Sequence, residues 1–135
     1  MDLMKSIVLS ASGMTAESER IKVIAENLAN ANSTASTPGG DPYRRKLVTF
    51  QNHLDKALGV EKVTVGRITT DSSDFELRYD PGNPAADANG YIKLPNVNSL
   101  IEMADLREAQ RSYEANLSAI DAAKNMLSRS VDLLK

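Results

Sequence analysis

The sequence has no cysteine and no tryptophan among its 135 residues, which removes disulfides, zinc–thiolate sites and thiol chemistry. Aromatic residues make up only 4%, so any core must come from small residues and medium aliphatics. That composition suits close helix–helix approach more than a wide globular interior. The single histidine, His53, is too little for a metal site or a catalytic triad, and a structural role is expected of it. No G-x-S-x-G, P-loop or G-x-G-x-x-G motif occurs, and no acid–base or nucleophile constellation argues for an enzyme. No catalytic, cofactor-binding or metal residue is therefore assigned. A net charge of -2 and a pI near 5.4 give no bulk attraction to nucleic acid. No stretch approaches the about 18 apolar residues of a membrane span. Lys5 followed by Ile7–Leu9 and Ala11–Gly13 faintly suggests a signal peptide, but Ser6 and Ser10 break its apolar part, so no cleaved signal is expected. The length suits a single domain.

What the chain does have is periodicity. Leu106, Tyr113, Ile120, Leu127 and Leu134 fall seven apart, and Gln110, Leu117, Lys124 and Val131 fill the alternate slots. The spacing predicts a helix from Ser99 to Leu134 that packs along another helix. Ser99 with Glu102 reads as its capping box. At about 1.5 Å per residue it would be roughly 54 Å long. Residues 3–30 repeat the pattern with Ile7, Met14, Ile21 and Leu28, and with Met4, Ala11, Ser18 and Ala25 between them. This second seam is thin, and Gly13 weakens the helix by about 1 kcal/mol relative to Ala. Ordinary core packing and an intermolecular coiled-coil-like role give the same heptads. The C-terminal helix is longer by roughly ten residues, or about 15 Å. Its excess, Ser99–Glu108, is expected to pack on the intervening module or on another subunit.

Between the helices the pattern changes. Residues 31–42 form a turn-rich linker. In residues 43–98, Lys46–Phe50, Val60–Val65, Phe75–Tyr79 and Tyr91–Leu94 read as short strands, and Gln51–Leu58 as a short helix. Asn89-Gly90 signals a type I′ turn. Asp80, Pro81, Gly82, Asn83, Pro84, Asn89 and Gly90 are expected to be structural turn residues, because the segment lacks the EF-hand spacing and its terminal Glu. The basic run Tyr43-Arg44-Arg45-Lys46 is expected to contact acidic neighbours or solvent. The fold class is then α+β: a terminal helical part (1–30 with 99–135) forming an antiparallel, coiled-coil-like pair, with a small β-rich insert.

Several of these stretches resemble a known family. Glu26-Asn27-Leu28-Ala29-Asn30-Ala31-Asn32 after a heptad helix is similar to the N-terminal signature of bacterial flagellar rod and hook proteins. Pro42–Lys46 and Tyr79–Asn98 look like the C-type proximal-rod subunits, and Arg111–Asn116 is similar to the family's C-terminal helix. The linker around Ser33–Gly40 and residues 55–74 depart from the pattern. The resemblance implies a structural subunit of the basal-body rod, exported unfolded through the flagellar type III apparatus, without a cleaved signal, to a rod that crosses the periplasm. It implies helical hetero-assembly with itself and with other rod subunits, as part of a torque-transmitting shaft around an export channel, with no cofactor, nucleic acid or membrane insertion. The expected interface residues are Ile7, Met14, Ile21, Leu28, Asn30, Asn32, Leu106, Tyr113, Leu117, Ile120, Leu127 and Leu134. The competing reading is a soluble helical adaptor associated with type III secretion. Because the N-terminal seam buries little, the terminal helices are expected to order on assembly, and the β module to be the better-ordered part alone.

Overall fold

The computed structural model describes residues 2–133. In chain order the elements are α1 (Leu3–Ala29), β1 (Lys46–Asp55), β2 (Val60–Thr70), β3 (Glu76–Tyr79), β4 (Tyr91–Leu94) and α2 (Ser99–Asp132). Two terminal helices thus bracket a small β module, the α+β arrangement expected. β1 pairs with β2 and β3 with β4, as two separate two-stranded sheets. β3 and β4 are antiparallel, with Leu77 opposite Lys93 and Tyr79 opposite Tyr91.

The helix starts follow capping rules. Asp2 Oδ1 accepts from Met4 N at 3.1 Å. On α2 the cap is Asn98, whose Oδ1 accepts from Leu100 N at 3.0 Å and Ile101 N at 3.3 Å. The Ser99–Glu102 capping box is therefore corrected: Asn98 stands one residue earlier and supplies the acceptor, and Glu102 turns inward.

Two further expectations are overturned. Gln51–Leu58 is not helical. β1 runs on to Asp55, whose Oδ1 accepts from Ala57 N and Leu58 N at 3.0 and 3.2 Å. Gly59, at φ 63°, completes the reversal, so pairing with β2 prevails over weak local helix propensity. Asn89-Gly90 is not a type I′ turn, which needs φ > 0 at both residues; among the described residues only glycines have positive φ, Gly90 at 85°. The reversal is built by Asp87 instead. Its Oδ1 accepts from Asn89 N (2.8 Å) and Tyr91 N (3.0 Å), and its carbonyl accepts from Gly90 N (3.0 Å).

The chain divides into two compact units, each taking part of both helices. The first is Met1–Ile21, Val48–Arg67 and Arg107–Lys135; the second is Lys22–Leu47 and Ile68–Leu106. Within the first, the helices lie side by side and antiparallel: Arg20 meets Glu108 at 3.6 Å, and Gly13 meets Asn116. A Cβ on Gly13 would stand 2.9 Å from Asn116 Nδ2, so the glycine permits a close approach. The buried residues of this unit are Ser10, Ala16, Ala109 and Ala123, all small. Those of the second include Val23, Ile24, Ile92, Asn27 and Glu102.

The covered stripe of α2 is offset from the heptad reading. Leu106, Tyr113 and Ile120 are half-buried as part of the seam, but Glu102, Ala109 and Ala123 are the buried alternates. Gln110, Leu117, Lys124 and Val131 are exposed. The stripe one residue over carries the alanines, which allow the backbones to come closer. The overhang also lies at the other end from the one expected. Glu102 is covered, whereas everything described from 124 to 133 is exposed.

Candidate functional site

A buried polar hub organises the second unit. Asn27 sits on the covered face of α1, three residues after Ile24, and is 1% exposed. Its Nδ2 donates to Lys46 O at 2.9 Å and Glu102 Oε2 at 3.1 Å. Its Oδ1 accepts from Tyr43 O–H at 2.8 Å and Lys46 N at 2.9 Å. Both donors and both lone pairs of the amide are used, as a buried amide requires. Glu102, also 1% exposed, accepts from Arg45 Nε through its other oxygen. The Arg45 guanidinium also reaches Asp71 at 3.5 Å and Asp105 at 3.7 Å.

The extended segment 43–46 is fixed by its neighbours. Arg45 N donates to Asn96 Oδ1 at 2.8 Å, and Asp71 N donates to Arg45 O at 2.8 Å. Arg44 donates to the carbonyls of Asp71 and Ser73, both at 2.9 Å, and its guanidinium lies 4.2 Å over the Phe75 ring. Lys46 pairs with Glu26. The basic run thus meets acidic and carbonyl partners within its own unit, the contact expected for it. Burial, aided by Glu26 and Glu102, pushes the Tyr43 hydroxyl up to about 12. Burial works against the Arg45 charge, yet Glu102 and Asp71 outweigh it and its pKa rises. The Ser73 amide and hydroxyl, with Arg45, hold Asp71 below the usual carboxylate range. The hub holds chain segments together; it presents no free nucleophile or base.

The first unit has a sparser polar contact. Glu17 Oε2 is buried without a hydrogen-bond partner, 3.7 Å from Arg20, which also serves Glu108. Burial raises the Glu17 pKa; Arg20 lowers it and Glu108 adds to the rise.

Of the residues expected at subunit interfaces, Ile7, Met14, Ile21 and Leu28 are half-buried on α1, as are Leu106, Tyr113 and Ile120 on α2. Leu117 and Leu127 are exposed, and Leu134 lies outside the described residues. Asn30 Nδ2 donates back to Glu26 O at 2.8 Å, while Asn32 is exposed. Asp80 and Asn83 build consecutive turns, with Asn83 N donating to Asp80 O at 3.1 Å and Ala86 N to Asn83 O at 2.9 Å. Pro81 packs at the Gly90 corner; Gly82 and Pro84 are exposed within the same loop, and His53 is exposed on β1. Sequence reasoning met Asn27 only within the Glu26–Asn32 family stretch, assigned it no role, and took Glu102 for a cap. The available signal was a polar residue in phase with Val23 and Ile24 on an apolar face.

Residues 9–35 match the family model described as flagella basal body rod protein, and residues 88–133 that of the flagellar basal body rod FlgEFG protein C-terminal region. The flagellar basal-body rod protein FlgC of Agrobacterium fabrum is 54% identical over 127 residues, covering 94% of this chain and 91% of that protein. The Bacillus subtilis protein of that name is 41% identical, covering 96% and 97%; the Salmonella typhimurium one is 39% identical, covering 98% of each. The matches of both terminal segments and this extent of identity lead to one conclusion: the chain belongs to the FlgC family of flagellar basal-body rod proteins, structural subunits and not enzymes.

Proposed function

We propose that this chain assembles in the proximal part of the rod as a helical array with copies of itself and with other rod subunits. In that array its helices form part of the torque-transmitting shaft and the channel it encloses. The observation that carries the reading is the uncovered apolar stripe of α2. Leu117, Leu127 and Val131 are 43%, 40% and 51% exposed; opposite Leu117 the helix is covered, and around Leu127 and Val131 every described residue is exposed. Burial gains about 25 cal/mol per Å² of apolar surface, so a neighbouring subunit that covers this stripe is bound by it. The half-buried residues Ile7, Met14, Ile21, Leu28, Leu106, Tyr113 and Ile120 complete the contact, with Asn30 and Asn32 at the end of α1. The thin small-residue core of the first unit supports ordering of that part on assembly. Export unfolded through the type III apparatus to a rod crossing the periplasm is part of this reading, supported by the similarity to FlgC proteins.

The test is a strain carrying Leu127→Asp, or Ile120→Asp, as the sole copy. A carboxylate in an apolar seam must lose its charge or stay wet. Motility should be lost and basal bodies should lack the subunit; normal motility with both variants overturns the reading. Leu127 is exposed in the subunit, so its loss of function is not a folding defect.

A further inference from the structure

We propose that Asn27, Arg45 and Glu102 form a latch that closes in the free subunit, before assembly, and sets the rotation of the start of α2. They act as positioning residues. Both donors and both acceptor positions of the buried Asn27 amide are used within the chain, so no neighbour is needed to complete it. The partners come from separate stretches: the last turns of α1, the segment 43–46, Asp71 at the end of β2, and the first turns of α2. One register satisfies them all. A slip of one residue turns a helix by about 100°, which would carry Glu102 away from both Asn27 and Arg45 and leave the buried Glu102 carboxylate and one donor of the buried Asn27 amide unpaired. A single buried polar group of this kind is the best-attested device for specifying register.

The latch also decides what α2 shows to the outside. With Glu102 held inward, its neighbours Leu100, Ile101 and Met103 stand out at 77%, 53% and 50% exposure. Between Leu100 and Ala104 the only charge is Glu102 itself, and it is buried. This turn is therefore a charge-free apolar knob, suited to the apolar helix face of an adjacent rod subunit. That last step rests on the assembly reading above; the latch does not.

Amide exchange of the full-length monomer tests the latch without assembly. Asn27→Asp sets a second carboxylate against Glu102 and removes the donor to Lys46 O. Exchange over residues 99–106 should quicken by about tenfold or more, the loss expected when a buried hydrogen-bonded group is left unpaired. Adding Glu102→Gln restores an N–H between the two side chains and should recover most of the protection, although it removes the charge facing Arg45. A residue that merely fills space would not be rescued this way. Glu102→Gln alone, the milder change, should quicken the same residues to a smaller extent. Unchanged exchange in Asn27→Asp, or in Glu102→Gln should the first not fold, overturns the latch, as does a double variant no better than the single. Ile101→Asp should keep wild-type exchange and lose motility as the sole copy. Normal motility there overturns the knob alone, while Leu127→Asp reports separately on assembly.

Discussion

The two units use opposite means to hold the same pair of helices. In the first, the buried side chains are Ser10, Ala16, Ala109 and Ala123. They let backbones approach closely but remove little apolar area from water, and area sets the gain. In the second, Ile92, Ile24 and Val23 are buried beside the fully paired Asn27 and Glu102. The lesson is that one continuous helix can be locked by a paired polar hub at one end and held by close contact of small residues at the other. We propose that ordering on assembly concerns chiefly the first unit, whose α2 portion exposes Leu117, Met126, Leu127, Val131 and Leu133.

The strongest way to break this contrast is Glu102→Ala. Removing the carboxylate leaves a donor of the buried Asn27 unpaired and takes the nearest partner from Arg45, at up to about 3 kcal/mol, with the cavity adding to that. Urea unfolding followed by amide exchange should show the loss concentrated in residues 22–47 and 68–106. An equal loss in both units would mean that they are not separately held. Next comes Gly90→Val, which forces a branched residue to φ 85° and sets its Cβ about where Tyr79 Cε2 lies 2.9 Å away. Strain of this kind costs about 1–3 kcal/mol. Protection at Tyr91–Leu94 should fall, and a β4 unaffected in exchange would show the corner to be tolerant.

Smaller again is Leu127→Asp, which should change monomer stability by less than about 0.5 kcal/mol, as exposed sites do, while removing the subunit from rods. A large drop in the melting temperature of the monomer would mean that the stripe is already covered. The smallest effects are of pH, and their signs differ between regions. Glu17 has a raised pKa, chiefly from burial; its contribution is present below its ordinary 4.5 and lost as pH rises through the folded value. Asp71 is held low, so its contribution is present above 3.8 and lost as pH falls through its folded value. Acidification should therefore tighten α1 around Glu17 and loosen the Arg45 end of the second unit. The tip of the β1–β2 hairpin, where Lys62 and the Leu58 amide hold Asp55 low, should loosen as well. At the alkaline end, Tyr43 contributes below 10 and loses that contribution as pH rises through about 12. Glu17→Gln should abolish the acid tightening alone; loosening in all three places on acidification would contradict the assignment of Glu17.

By itself the sequence determined most of the elements: both helices from their heptads, the strands from alternation at Val63/Val65 and Leu77/Tyr79, a reversal at Asn89-Gly90, and the family from the Glu26–Asn32 and Tyr79–Asn98 stretches. These are local properties, written in spacings of a few residues. Only the tertiary structure decided which of two adjacent stripes on α2 is covered, that Asn98 caps the helix while Glu102 turns to Asn27 and Arg45, and that Asp55 and Asp87 make the reversals. Each of those outcomes depends on a partner distant along the chain or on a competition between near-equal local options. A period of seven fits the Leu117 stripe as well as the Ala109 stripe, and an acid three residues into a helix can cap or be buried. Differences of a few kcal/mol in long-range pairing settle such ties, and sequence spacing carries no record of them.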